Sequence, residues 1–281
     1  MGNTTKAITK GIAIATAVLA ATALFGSYAT SIAEGLGKAR PTQAEMQLLD
    51  FIVFNPAVLV GALLGSAVVF LFSGLAINAV ARAAGAVVYE VRRQFREIAG
   101  IMEGTGRPEY GKVVDIVTKD SLRELVTPGV LAVLAPIAVG FGLGATALAG
   151  FLAGAIATGT LMAVFLANSG GAWDNAKKLV EDGNHGGKGS PAHEATIIGD
   201  TVGDPFKDTA GPAINPLIKV MNLVSLLIAA AVINLSVGQD QNDAVRILIA
   251  VVAVAIITAA IVVSKRRSVV LGEEADRTAS V

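Results

Sequence analysis

Residues 146–172 read TALAGFLAGAIATGTLMAVFLANSGGA, a run of 27 residues without a single charged side chain. A helix needs about 20 mostly apolar residues to cross the hydrocarbon core of a bilayer, so this run is long enough for one transmembrane helix. The rest of the chain has the same character. Only 16% of its 281 residues are charged and 53% are hydrophobic, whereas a soluble domain carries roughly 25% charged residues. The sequence therefore predicts an all-α, polytopic membrane protein.

Six segments of this kind can be drawn, at about 4–32, 52–88, 122–143, 146–172, 210–235 and 244–263. The second segment continues into a charged helical extension at 89–96. A glycine-rich turn of Gly140, Gly142 and Gly144 is expected to join the third segment to the fourth. These features predict one transmembrane helical domain at 1–271, built as a bundle of about six spans in the lipid bilayer. Residues 272–281 (GEEADRTASV) are expected to form a disordered cytoplasmic tail.

The distribution of Lys and Arg predicts the orientation, because short cytoplasmic loops of membrane proteins are enriched in both residues. Basic residues open the first span, separate the second from the third and the fourth from the fifth, and follow the sixth. The connections on the other side of the membrane, which follow the first, third and fifth spans, contain only two basic residues, Lys38 and Arg40. This pattern predicts a multi-pass protein of the cell membrane with both chain ends in the cytoplasm.

The overall charge and the missing cysteines exclude several classes of function. The 22 basic and 22 acidic residues cancel, so no net field favours a nucleic-acid partner. The chain has no cysteine, which excludes disulfides, thiolate metal sites and cysteine nucleophiles.

The densest group of polar residues lies at the cytoplasmic ends of the fourth and fifth spans. The stretch GGAWDNAKK at 170–178 places Asp174 and Lys178 one helical turn apart, with Lys177 beside them. The stretch GDTVGDPFKDTAGP at 199–212 places four more charged residues within about 100° of arc on an ideal helix. These four are Asp200, Asp204, Lys207 and Asp208.

This arrangement predicts a magnesium–phosphate site. Three carboxylates at such a spacing repel one another unless cations lie between them. Ligands made of oxygen alone, without His or Cys, favour a hard ion such as Mg²⁺, and the interleaved lysines call for an anion with several oxygens. By itself, the pair Asp174 and Lys178 would be explained as a solvated ion pair. A helix cap needs only one acidic residue, so capping does not explain three aspartates over two turns.

Lys219 is a second polar anomaly. It lies 11 residues beyond Asp208, which is about 16 Å deeper at a rise of 1.5 Å per residue. A lysine near the middle of the hydrocarbon needs a partner or a wet cavity and marks a functional site. No acidic partner is expected within the six spans, so its counter-charge is expected from a segment outside this chain.

Three stretches, GNTTKAITKG at 2–11 and the two polar segments above, resemble signature segments of the membrane-bound pyrophosphatases, the ion pumps that hydrolyse inorganic pyrophosphate. They keep the order of that family, and the resemblance covers about residues 2–235. The sixth span and the tail are less typical. The resemblance implies a larger pump fold with two concentric rings of helices, usually in a homodimer, and a cytoplasmic site for Mg²⁺ and pyrophosphate. The chain resembles the C-terminal portion of such a pump, which further N-terminal helices would complete.

The resemblance also implies roles for single residues. Magnesium or its shell corresponds to Asn3, Asp174, Asp200 and Asp204, and phosphate contacts correspond to Lys177, Lys178 and Lys207. Asp208 corresponds to one of two carboxylates that orient the attacking water. Lys219 corresponds to the gate lysine that pairs with acidic residues of another helix.

Lys6 and Thr9 occupy positions at which the family divides. Members that need potassium resemble GNTTAAIGKG, whereas members that do not need it have Lys at the first position, frequently with Thr at the second, as here. Positions 6 and 9 share a helix face, and an ammonium group there can stand where potassium would otherwise bind. Alternatively, Lys6 only marks the cytoplasmic end of the first span. The resemblance implies a potassium-independent pump of the proton type, although the residues alone do not decide between proton and sodium.

Two other classes of function stay open. An ion-coupled secondary transporter would also carry polar residues inside the membrane, but it has no need of an acidic and lysine-rich cluster at the surface. A non-catalytic assembly subunit would explain the length of the chain, but not the row of aspartates. The sequence favours pyrophosphate hydrolysis coupled to proton translocation, with this chain supplying the C-terminal half of the active site and the gate.

Overall fold

The computed structural model describes residues 2–39, 50–237 and 240–266, which form helices and contain no strand. The α-helices in these ranges are α1 (Gly2–Ala39), α2 (Pro56–Glu97), α3 (Tyr110–Leu143), α4 (Ala145–Glu181), α5 (Pro191–Asp204), α6 (Gly211–Ser236) and α7 (Asp243–Lys265). A π-helical turn, Pro205–Ala210, joins α5 to α6 without interruption. A 3₁₀ turn, Asn184–Gly186, lies between α4 and α5. The predicted tail at 272–281 lies outside the described residues.

Six stretches of the described chain are long and apolar enough to cross a membrane, which confirms the predicted all-α bundle. The fifth of them is the continuous rod Pro191–Ser236, made of α5, the π turn and α6. Helix α2 begins at Pro56, four residues after the predicted start at 52, whereas α3 extends beyond its predicted segment and begins at Tyr110 rather than at 122. The added turns are charged and stabilise themselves locally, as where Lys119 and Asp115 pair one turn apart at 2.7 Å.

The charged extension predicted at 89–96 is confirmed as the last turns of α2. Arg93 binds the carboxylates of Glu90, Glu97 and Glu109 at N–O distances of 2.8, 2.6 and 2.6 Å. Because Glu109 directly precedes α3, this arginine fastens the end of α2 to the start of the next helix.

The connection between α3 and α4 is a single residue. Gly144 has a φ of +91°, in the left-handed region that side chains rarely adopt. Gly140 and Gly142, which were expected in the turn, lie inside α3, so that part of the prediction is wrong. One residue with positive φ is enough to end the helix, and Gly140 instead packs against Leu148 of α4.

Helices α2 and α4 cross with their backbones in contact. Each carries two glycines four residues apart, Gly61 and Gly65 on α2 and Gly150 and Gly154 on α4. A methyl group added at any of the four would lie 1.9–2.1 Å from a carbonyl oxygen of the facing helix. Small residues at this spacing permit close packing of helices in membranes. Along this contact the residue numbers rise in the same direction on both helices. Helices α2 and α4 are therefore parallel, as expected for the second and fourth spans.

The centre of the bundle is α4, which packs against α2, α5 and α6. Helices α1 and α7 are the least enclosed of the six spans. Helix α1 runs parallel to α6, because Asn215 Nδ2 donates to the Ala13 carbonyl at 2.9 Å while Gly35 lies beside Ile233. The first turns of α1 therefore lie at the same end of the bundle as α5.

Candidate functional site

Six charged side chains of α4, α5 and the π turn form one group, which we call the Asp/Lys cluster. Its members are Asp174, Lys177, Lys178, Asp200, Asp204 and Lys207. Lys177 Nζ lies 2.8 Å from Asp200 Oδ2, which joins α4 to α5. Lys178 Nζ lies 2.7 Å from Asp174 Oδ1 along α4. The structure thus brings together six of the residues that the sequence singled out.

Lys207 lies in the middle of the cluster and is only 5% exposed. Its ammonium nitrogen is 3.1 Å from Asp174 Oδ2, 2.9 Å from Asp200 Oδ1 and 2.6 Å from Asp204 Oδ1. Three carboxylates therefore converge on one cation. The sequence predicts cations between Asp200, Asp204 and Asp208. In the structure the carboxylates that converge are instead Asp174, Asp200 and Asp204, and the cation between them is a lysine of the same chain.

The Asp/Lys cluster lies beyond the apolar segments at 146–172 and 210–235. The ion pairs of the cluster keep its aspartates ionised. Burial alone would raise the pKa of the Asp200 carboxyl, but hydrogen bonds from Lys177 and Lys207 outweigh it and keep that pKa below its usual value. Burial likewise acts to raise the pKa of Asp174, and hydrogen bonds from Lys178 and Lys207 again lower it. Both aspartates are therefore ionised at neutral pH.

A close approach of α4 and α5 makes these pairs possible. A methyl group at Gly170 would lie 2.5 Å from the Gly203 carbonyl oxygen and 2.7 Å from Lys207 Cβ. A methyl group at Gly203 would lie 2.8 Å from Cε3 of Trp173, whose ring meets Phe206 edge-on at 5.9 Å. The two glycines and the aromatic pair set the distance across which the lysines reach the carboxylates.

The π turn decides which side chains face into the cluster. Pro205 has no N–H to give to the preceding turn, so the regular helical hydrogen bond is lost at this point. Single π turns inside helices are frequent at functional sites. Within this turn Lys207 is buried and Asp208 is exposed. An ideal helix would place Asp208 on the same face as Asp200, Asp204 and Lys207. In the structure Asp208 is not among the carboxylates around Lys207.

His193 lies in the first turn of α5, the helix that carries Asp200 and Asp204, although no motif of the sequence singles it out. Its Nε2 lies 3.3 Å from Glu181 Oε1, and its Nδ1 accepts a hydrogen bond from the Gly189 N–H at 3.1 Å. Ser190 caps α5 by accepting from the His193 N–H at 3.2 Å. The Ser-Pro pair at 190–191 is typical of a helix start and could have placed this histidine in a first helical turn. These contacts close the loop between α4 and α5 next to the cluster.

The cluster fits Mg²⁺ in the kind of ligand that it offers. Its acceptors are carboxylate oxygens, which this ion prefers, and three of them already converge on a single cation. In the described residues, however, no group of three or more His, Asp or Glu side chains is arranged to hold a metal ion. The carboxylates are turned towards the lysines instead.

Lys219 is half-buried on α6 and forms none of the ion pairs found among the described residues. The expectation that the six spans hold no acidic residue is wrong at one place, because Glu124 lies inside the third predicted span. Glu124 pairs with Arg82 of α2, whose guanidinium also donates to Ser264 of α7 at 3.3 Å. Arg82 therefore joins α2 to α3 through Glu124 and to α7 through Ser264. A counter-charge for Lys219 from outside the chain stays a prediction.

Helix α1 supplies the remaining predicted residues. Thr9 is exposed and lines a cavity of about 170 Å³ together with Gly211 and Pro212. The side chains of Asn3 and Lys6 lie outside the described part of the chain, so their roles stay predictions. The parallel course of α1 and α6 places the backbone of both positions at the end of the bundle that carries the Asp/Lys cluster.

Comparison with known proteins gives consistent matches. Residues 1–228 match the family described as Inorganic H+ pyrophosphatase. A K(+)-insensitive pyrophosphate-energized proton pump of Streptomyces coelicolor is 69% identical over 279 residues, which are 98% of this chain and 35% of that protein. The protein of the same name from Streptomyces avermitilis is 70% identical over 278 residues, again 98% of this chain and 35% of the relative. A putative K(+)-stimulated pyrophosphate-energized sodium pump of Bacteroides thetaiotaomicron is 50% identical over 246 residues, 82% of this chain and 34% of that protein.

The chain spans about a third of the length of these relatives. Both Streptomyces matches include the last helix, which lies beyond the family match at 1–228. The family match takes in all three signature segments and the whole Asp/Lys cluster. The chain belongs to the family of inorganic H+ pyrophosphatases.

Proposed function

We propose that this chain supplies part of the active site of a membrane pump that hydrolyses pyrophosphate and couples the hydrolysis to proton translocation. The observation that carries the proposal is the Asp/Lys cluster, in which three carboxylates and three ammonium groups meet where two membrane-length helices come together. Membership of the family and the names of the Streptomyces relatives support it. The basic loops support a cytoplasmic position for the cluster and for both chain ends.

Lys177 and Lys178 would bind the phosphate groups. Their side chains are 29% and 39% exposed, so they are the accessible cations of the cluster. Charge-assisted hydrogen bonds from ammonium to phosphate oxygens are about twice as strong as neutral ones. Both lysines are paired with carboxylates in this structure, so an incoming anion has to compete with Asp200 and Asp174. The resemblance adds Lys207 to the phosphate contacts, although this lysine is buried.

Asp174, Asp200 and Asp204 would hold Mg²⁺, with Asn3 in its shell. Bound Mg²⁺ would neutralise part of the charge on pyrophosphate and on the leaving phosphate. Each lysine that leaves a carboxylate for the anion frees a carboxylate oxygen. The two groups of side chains therefore exchange partners when substrate binds.

Asp208 would orient the attacking water and accept its proton, together with a carboxylate from helices outside this chain. Asp208 is exposed on the π turn. The released proton, or one displaced by it, would move along α6 towards Lys219, about 16 Å further along the helix axis. Lys219 would act as a gate by pairing with acidic residues of a helix that this chain does not include.

Two further features belong to the proposal. Lys6 and Thr9 make the pump independent of potassium, because the Lys6 ammonium supplies the positive charge that potassium gives elsewhere in the family. The complete pump is a homodimer, in which the missing N-terminal helices close the site and the gate.

The test uses a completed pump, in which this chain replaces the matching third of the Streptomyces coelicolor relative. In sealed vesicles, we expect it to release phosphate from pyrophosphate and to take up protons, with little response to potassium. Asp208→Asn should abolish hydrolysis and leave binding of magnesium pyrophosphate largely intact, whereas Asp182→Asn, at an exposed position after α4, should change neither. Lys6→Ala should create a potassium requirement.

Each result has a clear opposite. A completed pump without any pyrophosphate turnover would contradict the proposed function and favour a transporter or an assembly subunit. Substantial turnover by the Asp208→Asn variant would remove Asp208 from its role. A several-fold rise of the unsubstituted activity on adding potassium would remove the potassium-independent assignment.

A further inference from the structure

Helices α2, α3 and α7 enclose an open groove of about 640 Å³, and none of the described residues that line it has a polar side chain. Helix α3 lines the groove from Leu131 to Leu143, which is about 18 Å at a rise of 1.5 Å per residue. Half of the hydrocarbon core of a bilayer is about 15 Å thick. The groove is therefore about as long as one leaflet of the membrane.

The groove is closed at one end, where α3 and α7 meet directly. Thr127 lies one turn before Leu131, and its Oγ1 donates to the Ala260 carbonyl of α7 at 3.4 Å. Beyond this contact, the ion pair of Arg82 with Glu124 joins α2 to α3. Another transmembrane helix would need a groove of about 30 Å, so a groove that ends halfway across the membrane fits a lipid chain better than a further helix.

Arg246 lies at the other end of the groove, which we call its mouth. It precedes the lining residue Ala250 by one turn of α7, and its Nη1 would lie 4.0 Å from a methyl group added at Gly144, the residue after α3. Its Nη2 is 3.1 Å from Asp243 Oδ1. Its Nε is buried and has no hydrogen-bond partner among the described residues. The mouth thus carries a cation with an unused donor beside a carboxylate.

The mouth lies on the side of the bundle opposite to the Asp/Lys cluster, because Gly144 directly precedes α4 and the cluster lies towards the end of that helix. A lipid tail is as apolar as a leucine side chain, so the groove alone gives one lipid little advantage over another. Charged pockets between membrane helices recognise lipid headgroups. The mouth is therefore the part of this groove that can select a lipid.

We propose that the groove binds one acyl chain of a phosphatidylethanolamine molecule, whose phosphate binds Arg246 and whose ammonium group binds Asp243. Arginine has five N–H donors, so it can bind a phosphate through charge-assisted hydrogen bonds without leaving Asp243. The Asp243 side chain is 57% exposed and is accessible to the ammonium group. Because α7 lies beyond the family match at 1–228, the proposal does not rest on the proposed function.

The experiment titrates the completed pump in detergent with phosphatidylethanolamine or with phosphatidylglycerol, which has the phosphate but no ammonium group. Native mass spectrometry measures the affinity for each lipid. We expect phosphatidylethanolamine to bind about tenfold more tightly, which corresponds to one hydrogen bond to a charged group. Arg246→Gln should weaken the binding of both lipids by about tenfold for the same reason. Asp243→Asn should remove the preference for phosphatidylethanolamine and leave phosphatidylglycerol bound at least as tightly as before.

A matched pair of variants tests the groove itself. Ala255 and Ala259 lie one turn apart on α7 and are both exposed, and of the two Ala255 lines the groove. Ala255→Phe should fill the groove from its open side and weaken the binding of both lipids several-fold. Ala259→Phe adds the same ring outside the groove and should leave both affinities unchanged.

The proposal is overturned if phosphatidylglycerol binds as tightly as phosphatidylethanolamine, or if Ala255→Phe and Ala259→Phe behave alike. Unchanged lipid affinity in the Arg246→Gln variant contradicts it as well. If the unsubstituted pump retains neither lipid, another part of the pump covers the groove and the proposal is wrong. Should Arg246→Gln fail to assemble, the lipid preference of Asp243→Asn decides the question. Lipid binding requires no turnover, so the result holds even when the completed pump hydrolyses nothing.

Discussion

Helix α4 approaches a neighbouring helix at backbone distance twice, once towards each end. Towards its start, Gly150 and Gly154 lie against carbonyl oxygens of α2. Towards its end, Gly170 lies against the Gly203 carbonyl of α5. The first contact is surrounded by apolar side chains such as Phe151, which is fully buried. The second contact is surrounded by the Asp/Lys cluster.

The comparison separates contacts that can change partners from contacts that cannot. The crossing of α2 and α4 depends on close packing, to which Ser66 adds hydrogen bonds with the Gly154 carbonyl and the Thr158 hydroxyl, and nothing that binds from solution offers these glycines an alternative. At the crossing of α4 and α5, each lysine can exchange a carboxylate for a phosphate oxygen, and each carboxylate can exchange a lysine for a metal ion. A ligand can therefore act on the second crossing while the first keeps the bundle in place.

The largest effect is expected at the close-packed crossing of α2 and α4. Gly154→Ala would place a methyl group 2.1 Å from a carbonyl oxygen of α2, which forces the helices apart and should lower the stability by about 3 kcal/mol. Unfolding of the chain in detergent by sodium dodecyl sulfate measures the loss. The control is Gly74→Ala on α2, where a methyl group has no neighbour within 4 Å. Equal stability of the two variants would mean that the crossing is not close-packed.

A smaller effect is expected where charge joins the helices. Asp200→Asn removes the one carboxylate that binds Lys177 and Lys207 together, so the site residues of α4 and α5 lose their common partner. We expect the completed pump to lose pyrophosphate hydrolysis by roughly a hundredfold or more, because a proposed Mg²⁺ ligand is lost and displacement of the two lysines alone has an effect of about that size. The crossing of α2 and α4 should keep its stability in the same variant. Hydrolysis within a few-fold of the unsubstituted pump would contradict this role for Asp200.

Removing the close approach without changing a charge should have a weaker effect. Gly170→Ala would place a methyl group 2.5 Å from the Gly203 carbonyl and 2.7 Å from Lys207 Cβ. Because these distances are longer than the 2.1 Å at Gly154, the helices have to move less, and we expect a loss of stability of about 1 kcal/mol. The matched control is the next residue, since a methyl group at Gly171 has no neighbour within 4 Å. Gly171→Ala should match the unsubstituted chain in the same unfolding assay, and a Gly170→Ala variant as stable as this control would count against the close approach.

The two crossings also differ in what the sequence predicts about them. The long apolar runs, such as 146–172, are enough to predict that α2 and α4 are membrane spans, because hydropathy alone sets the length of a span. Their ends are predicted less well. Charged turns at 110–121 continue α3 through local pairs such as Lys119 with Asp115, and hydropathy does not register such pairs.

The members of the site follow from the sequence, whereas their pairing does not. Six of the predicted residues meet because the two signature segments lie at the ends of adjacent helices. Which lysine of one helix binds which carboxylate of the other depends on the distance between α4 and α5, and that distance is set by Gly170, Gly203 and the pair of Trp173 with Phe206. The π turn then buries Lys207 and exposes Asp208, which no ideal helical wheel predicts.

The smallest expected effect concerns pH, and it follows from the lowered pKa values of Asp174 and Asp200. A carboxyl whose pKa is lower in the folded than in the unfolded state stabilises the fold above its unfolded pKa, about 3.9 for Asp. That stabilisation is lost as the pH falls through the lower, folded value. Acidification from pH 7 to pH 5 should therefore leave the crossing of α4 and α5 intact, and loosening should begin only below about pH 4.

Hydrogen–deuterium exchange of α5 at pH 7, 5 and 3, corrected for intrinsic rates, measures this loosening, with the glycine segment of α2 as the internal control. The α2 segment should show no such step, because its contact with α4 contains no titrating group. Loss of protection in α5 already between pH 7 and pH 5 would show that groups other than these two aspartates hold the second crossing.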